Sequence, residues 1–116
     1  MAESADIPGT VETDDALLAA LLARIVPAVR PVAVYLFGSR ARGDHRADSD
    51  YDILVVVEDG APKRHFDPAF LYGLKQGLPM SADIFGARRS NFERLRHEVG
   101  SLAHIVGYEG RRIYGR

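Results

Sequence analysis

Leu36-Phe37-Gly38-Ser39-Arg40-Ala41-Arg42-Gly43-Asp44-His45-Arg46-Ala47-Asp48-Ser49-Asp50-Tyr51-Asp52-Ile53-Leu54-Val55-Val56-Val57 joins the end of one apolar run to the head of another. The first run, from Pro31 to Phe37, is β-branched and aromatic and reads as a buried strand. The second, Tyr51 to Glu58, reads as another strand that stops at Asp59-Gly60-Ala61-Pro62, a loop signal. Gly38 and Ser39 form a turn at the end of the first strand, with Ser39 to Asp44 as a short helical turn. Asp50 and Asp52 stand two residues apart at the head of the second, a spacing that sends both side chains to one side of a strand.

The chemistry of this stretch follows from its residue types. Gly38 permits a sharp turn and close backbone approach, and amides at a helix start favour an anion. Ser39 adds a hydroxyl donor, and Arg40 and Arg42 carry guanidinium groups that match phosphate oxygens. Taken singly, a Gly-Ser turn is usually just a turn and a surface arginine usually serves solubility; here they gain weight from their neighbours. Asp50 and Asp52 repel one another unless a cation compensates them. The series Asp48, Asp50, Asp52 fails as a calcium loop, because Ile53 occupies the required glycine position and Asp59 the twelfth. His45, His65, His97 and His104 lack the paired spacing of a zinc site, and no Gly-x-Ser-x-Gly elbow is present.

Outside this stretch the pattern predicts packing elements. Thr13 is positioned to cap a helix that runs to about Pro27, with Asp14 and Asp15 in its first turn and Leu17, Leu18, Leu21, Leu22 and Ile25 on one face. Asp67 starts a helix through about Lys75, closed by Gly77 and Pro79, and Met80 to Phe85 is a third strand carrying Asp83. Ser90-Asn91-Phe92-Glu93 has capping-box spacing, which predicts a last helix from Asn91 to about Val106. Glu109 to Tyr114 reads as a terminal extended segment. The expected fold class is α/β of the α+β type, a small mixed sheet with helices packed on it. Residues 1-12 are expected to form a flexible arm and residues 13-116 one domain.

With 116 residues, the chain has room for one core. A net charge of −1 argues against a general nucleic-acid coat, and the absence of cysteine excludes thiolate chemistry and disulfides. The longest apolar runs, Ala16 to Ala23 and Ile53 to Val57, fall far short of the roughly 20 residues that span a bilayer. The acidic start Met1 to Asp6 is unlike a signal peptide, so a cytoplasmic location with no membrane contact and no direct nucleic-acid binding is expected.

The motif Gly38-Ser39-Arg40-Ala41-Arg42-Gly43, five residues, then Ser49-Asp50-Tyr51-Asp52-Ile53-Leu54-Val55 closely resembles the signature of the minimal nucleotidyltransferases of the DNA polymerase β superfamily. The third carboxylate of that family corresponds to Asp83 in Ser81-Ala82-Asp83-Ile84-Phe85, and Gly110 to Tyr114 resembles its C-terminal segment. Tyr51 stands where members often carry an aliphatic residue, at a position read here as outward-facing. The resemblance implies the nucleotidyltransferase fold, with two Mg²⁺ ions on Asp50, Asp52 and Asp83 and a triphosphate on Gly38, Ser39, Arg40 and Arg42. It implies AMP transfer from ATP. Members of this size resemble antitoxins that neutralise an all-helical HEPN ribonuclease toxin encoded by an adjacent gene, some by attaching AMP to a toxin tyrosine. The alternatives are an antitoxin that only binds and an aminoglycoside-type transferase subunit acting on a small molecule; larger relatives append an acceptor-binding domain for which this chain has no room. The acceptor, nucleotide preference and homo-oligomeric state are left open by the sequence.

Overall fold

The leucine-rich segment forms helix α1 (Ala16–Val29) in the computed structural model, which describes residues 9–116. The pattern predicts Thr13 as its cap, but the cap is Asp15, whose Oδ1 accepts from the amides of Leu17 (2.9 Å) and Leu18 (3.2 Å). A carboxylate there both satisfies orphan amides and meets the positive end of the helix dipole. Pro27 does not end the helix: its missing amide costs one bond in the last turn. The chain leaves α1 at Arg30, which adopts a left-handed φ of 47°.

Strands β2 (Ala33–Phe37) and β3 (Tyr51–Val57) follow, joined through the short helix α2 (Ser39–Arg42), and they pair antiparallel, a direction that the sequence leaves open. A 3-10 turn (Lys63–Phe66) and helix α3 (Pro68–Gly73) then cross to β4 (Ala82–Arg88), which lies parallel to β3. Asp67 caps α3 as expected by accepting from the Ala69 amide, but the helix ends at Gly73 and not near Lys75. β4 begins and ends later than the predicted Met80 to Phe85.

The single last helix predicted from Asn91 is two helices, α4 (Arg89–Leu95) and α5 (Leu102–Glu109). Gly100, with φ of 94°, falls between them, a backbone conformation that an α-helix does not contain. Nor does the capping box form: the Ser90 amide donates to Asp59 Oδ1 at 3.0 Å, so a loop carboxylate outcompetes the local partner. The terminal extended segment is β5 (Arg111–Gly115), and it pairs antiparallel with both β2 and a short β1 (Thr10–Val11). Thr10 and Val11 therefore belong to the sheet and not to an arm; the rest of the expected arm, up to residue 8, lies outside the described residues. The resulting mixed sheet has the order β1-β5-β2-β3-β4.

Helices cover both faces of this sheet. Leu18, Leu21, Leu22, Ile25, Val26 and Val29 of α1 pack with Val34, Leu36, Ile53, Val55 and Val57 on one face. Phe37, Leu54 and Val56 meet Phe92, Ala103 and Val106 from α4 and α5 on the other. β3 is thus buried on both sides, which explains its unbroken apolar run. At about 1.5–3 kcal/mol per buried aliphatic side chain, these faces supply most of the force that holds the sheet. Among the described residues no helix is long and apolar enough to cross a membrane.

His65 is 8% exposed, stacks on Phe70, and has no hydrogen-bond partner among the described residues at either ring nitrogen. Burial, assisted by Arg64, lowers its pKa from 6.5. The unfolded chain consequently binds more protons than the folded one just below that pH, so stability falls on acidification through this window. We predict that His65→Leu removes this part of the pH dependence, read as melting temperature against pH for both proteins; parallel curves would refute the assignment.

Candidate active site

The turn after β2 is built around one glycine. Gly38 has a φ of 76°, and a Cβ there would collide with the Asp52 carboxylate, so the position requires glycine for both backbone and space. The Gly38 carbonyl accepts from the amides of Ala41 and Arg42, and that of Ser39 from Gly43 (2.8 Å) and Asp44 (3.2 Å). Gly43 closes α2 at a φ of 89°.

Alternation along β3 sorts the neighbouring residues. Tyr51, Ile53, Val55 and Val57 belong to the α1 face, which leaves Asp52 on the face that carries α4 and α5. Asp52 stands opposite Asp83 in the parallel register with β4, and opposite Phe37 across β2. Asp50 lies one residue before β3 begins, so the two acids are not both strand residues as the spacing predicts. Burial raises the Asp52 pKa above the usual carboxylate value, and the charges of Asp83 and Asp50 push it further; Arg42 opposes them. Three acids are therefore gathered at one end of the sheet, although among the described residues no three close into a ready-made metal cluster. Hard oxygen donors that repel one another are nevertheless the donor set that a divalent cation such as Mg²⁺ would relieve.

The two arginines of the motif do different things. Arg40 donates from Nε to the Ser49 carbonyl (3.0 Å) and from Nη2 to that of Ala47 (3.1 Å), and its guanidinium lies 4.0 Å over the Tyr51 ring. It fastens the loop between α2 and β3. Arg42 turns the other way, pairing with Asp44 at 3.2 Å and with Glu109 at 3.2 Å, and these carboxylates raise its pKa. Tyr51, expected to face outward, is 6% exposed on the α1 face, where its hydroxyl donates to Asp15 Oδ2 at 3.0 Å. Its pKa is raised by burial and by that hydrogen bond. A large side chain is accommodated there because Arg40 and Asp15 satisfy it on two sides.

Two participants escape sequence reading. Glu109, at the end of α5, accepts from the Gly38 amide at 2.9 Å through Oε2. It is 71 residues from the glycine, so no spacing rule connects them. Phe85, on the same strand face as Asp83, is exposed and packs its ring 6.0 Å from Phe37. A cleft of about 570 Å³ opens on the other side of the turn, lined by Asp14, Asp15, Arg40, His45, Tyr51 and Arg111 among others; it does not include the acids on the α4/α5 face.

The chain shares its family and its fold with known proteins. No curated protein matches the chain. Among solved structures, a toxin–antitoxin complex with AMP-PNP is similar over 90% of this chain and 75% of its own, at 23% identity and a TM-score of 0.58, a likeness of fold. A protein of Sulfolobus solfataricus assigned as a nucleotidyltransferase is similar over 67% of this chain and 69% of its own, at 25% identity and a TM-score of 0.49. The sequence profile of the nucleotidyltransferase domain matches residues 19–106, the span that contains the glycine turn and all three acids. The chain belongs to the nucleotidyltransferase domain family.

Proposed function

We propose that this protein is a Mg²⁺-dependent nucleotidyltransferase that transfers AMP from ATP to a hydroxyl, a tyrosine of a HEPN-type helical toxin, and so serves as the antitoxin of a cytoplasmic pair. The observation that carries the reading is the register that sets Asp52 opposite Asp83 beside the Gly38 turn. Asp50, Asp52 and Asp83 would hold Mg²⁺, which would supply charge stabilisation for the triphosphate during attack at the α-phosphorus. The Gly38 amide, Ser39 and Arg42 bind the β- and γ-phosphates; Arg40 contributes by fixing the loop that ends at Asp50. Asp83 accepts the proton of the incoming hydroxyl. The new oxygen–phosphorus bond forms at the α-phosphorus, the bond to the bridging oxygen breaks, and pyrophosphate leaves.

Two features support a protein acceptor. β4 is an edge strand and Asp83 on it is exposed, so a hydroxyl from a separate molecule reaches it without entering a deep pocket. Val99 (87% exposed), Leu102, Ile105 and Tyr108 (87% exposed) recur at intervals of three before and along α5, whose end touches the turn through Glu109. Exposed apolar side chains grouped beside a site mark a contact surface. A solved toxin–antitoxin structure with AMP-PNP has a similar fold, which supports a toxin partner and a nucleotide.

Asp52→Asn should lower Mg²⁺-dependent AMP-PNP affinity about tenfold or more while raising the melting temperature of the metal-free chain, because it removes one of the repelling charges. Calorimetry and thermal melts give both readings, and unchanged nucleotide affinity would sink the assignment. Mixing the chain with the product of the adjacent gene, ATP and Mg²⁺ should give a complex whose partner gains the mass of AMP. Ile105→Asp with Tyr108→Asp should abolish the complex and spare nucleotide affinity. A complex without mass change would make this a binding-only antitoxin, and AMP transfer to an aminoglycoside instead would replace the partner reading.

A further inference from the structure

We propose that Glu109 is an internal latch on the triphosphate site: its carboxylate stands where nucleotide phosphate oxygens bind, and nucleotide enters only after this side chain swings away. The proposal rests on the nucleotidyltransferase reading above. Its basis is the set of contacts that Glu109 makes. Oε2 accepts from the Gly38 amide at 2.9 Å, and the Arg42 guanidinium donates to Oε1 at 3.3 Å and to Oε2 at 3.2 Å. These are the amide and the cation of the glycine turn. A carboxylate and a phosphate present equivalent oxygen acceptors to such a pair, so the two compete for it.

The location of Glu109 strengthens the case. An acid at the exposed end of a helix ordinarily points to water, yet this side chain is 19% exposed. It is also turned toward a site already crowded by Asp52, Asp83 and Asp50, where a further negative charge is disfavoured unless donors hold it. The Gly38 amide and Arg42 are those donors. Gly110 fixes the approach: its amide donates to the Val106 carbonyl at 2.7 Å, and a Cβ there would collide with that same carbonyl. The backbone at Gly110 is ordinary extended chain (φ −74°, ψ 158°), and β5 starts immediately after it. Glu109 is therefore delivered to the turn by a tight but unstrained helix exit, and it leaves by rotation about its own side-chain bonds while β5 stays paired.

Nucleotide affinity is then set partly by the latch, since the apparent dissociation constant is the intrinsic one divided by the unlatched fraction. The test titrates AMP-PNP, with and without Mg²⁺, into the full chain and into Glu109→Gln and Glu109→Ala by calorimetry. Gln keeps the shape and removes the charge. We expect the dissociation constant to fall at least about fivefold in Glu109→Gln, and further in Glu109→Ala. Binding by the wild type that is as tight as in both variants, or tighter, overturns the latch and leaves the nucleotidyltransferase reading standing, because Glu109 would then help to shape the site. Failure of all three proteins to bind AMP-PNP, with Asp52→Asn equally inert, overturns the nucleotide reading and the latch with it. If Glu109→Ala loses its helical circular dichroism, the Gln variant decides alone.

Discussion

The parallel pairing of β3 with β4, in the register that sets Asp52 opposite Asp83, is the constraint on which the rest of the molecule turns. Parallel neighbours need a long crossover, and residues 58–81 supply it with the 3-10 turn and α3. The crossover packs closely on β4: a Cβ at Gly86 would stand 3.0 Å from the His65 carbonyl and 3.2 Å from Leu71. That contact sets how far β4 slides along β3, and so which residue faces Asp52. Helices cover both faces of β3, and its first turn of sequence is where a charged side chain reaches solvent. The acids are consequently gathered at the strand's head, Asp52 part-buried between the exposed Asp50 and Asp83, whose charges push its pKa up.

Charge at this site is balanced by division of labour between two arginines that the motif presents as equals. Arg40 spends its donors on the backbone of the following loop and its flat face on Tyr51, so the loop reaches Asp50 in a fixed path. Because α2 is a single turn of helix, residues two apart on it project to different sides, and Arg42 points toward the glycine turn instead. There it meets Glu109 from a helix that arrives from the far end of the chain. The glycine turn of the motif is thus joined to the exit of α5.

The family assignment and the geometry support each other in different ways. The profile match covers the turn, both strands and the acids, which shows what kind of domain this is. The structure adds the surroundings of the acids. Asp83 is on an edge strand, and α5, which carries the exposed Leu102, Ile105 and Tyr108, ends at Glu109 on the Gly38 amide.

What the sequence determined by itself was local: the glycine turn, the apolar runs that became β2 and β3, the leucine face of α1 and the terminal strand are each encoded in neighbouring residues, through backbone freedom and side-chain periodicity. The acids at the head of β3 were legible for the same reason, and Asp83 through its resemblance to a family pattern. Cap choice and helix ends were less so, because Asp15 over Thr13, and Asp59 over the capping box at Ser90, depend on which oxygen is nearest once the chain has folded. The inward turn of Tyr51 also follows from a partner distant in sequence, Asp15. Tertiary structure alone decided that Arg40 is a loop clamp, that Arg42 pairs with Glu109, and that Glu109 lies on the Gly38 amide: the last two contacts join residues 67 and 71 apart, and the first depends on the path of an irregular loop, so none leaves a periodic trace in the chain.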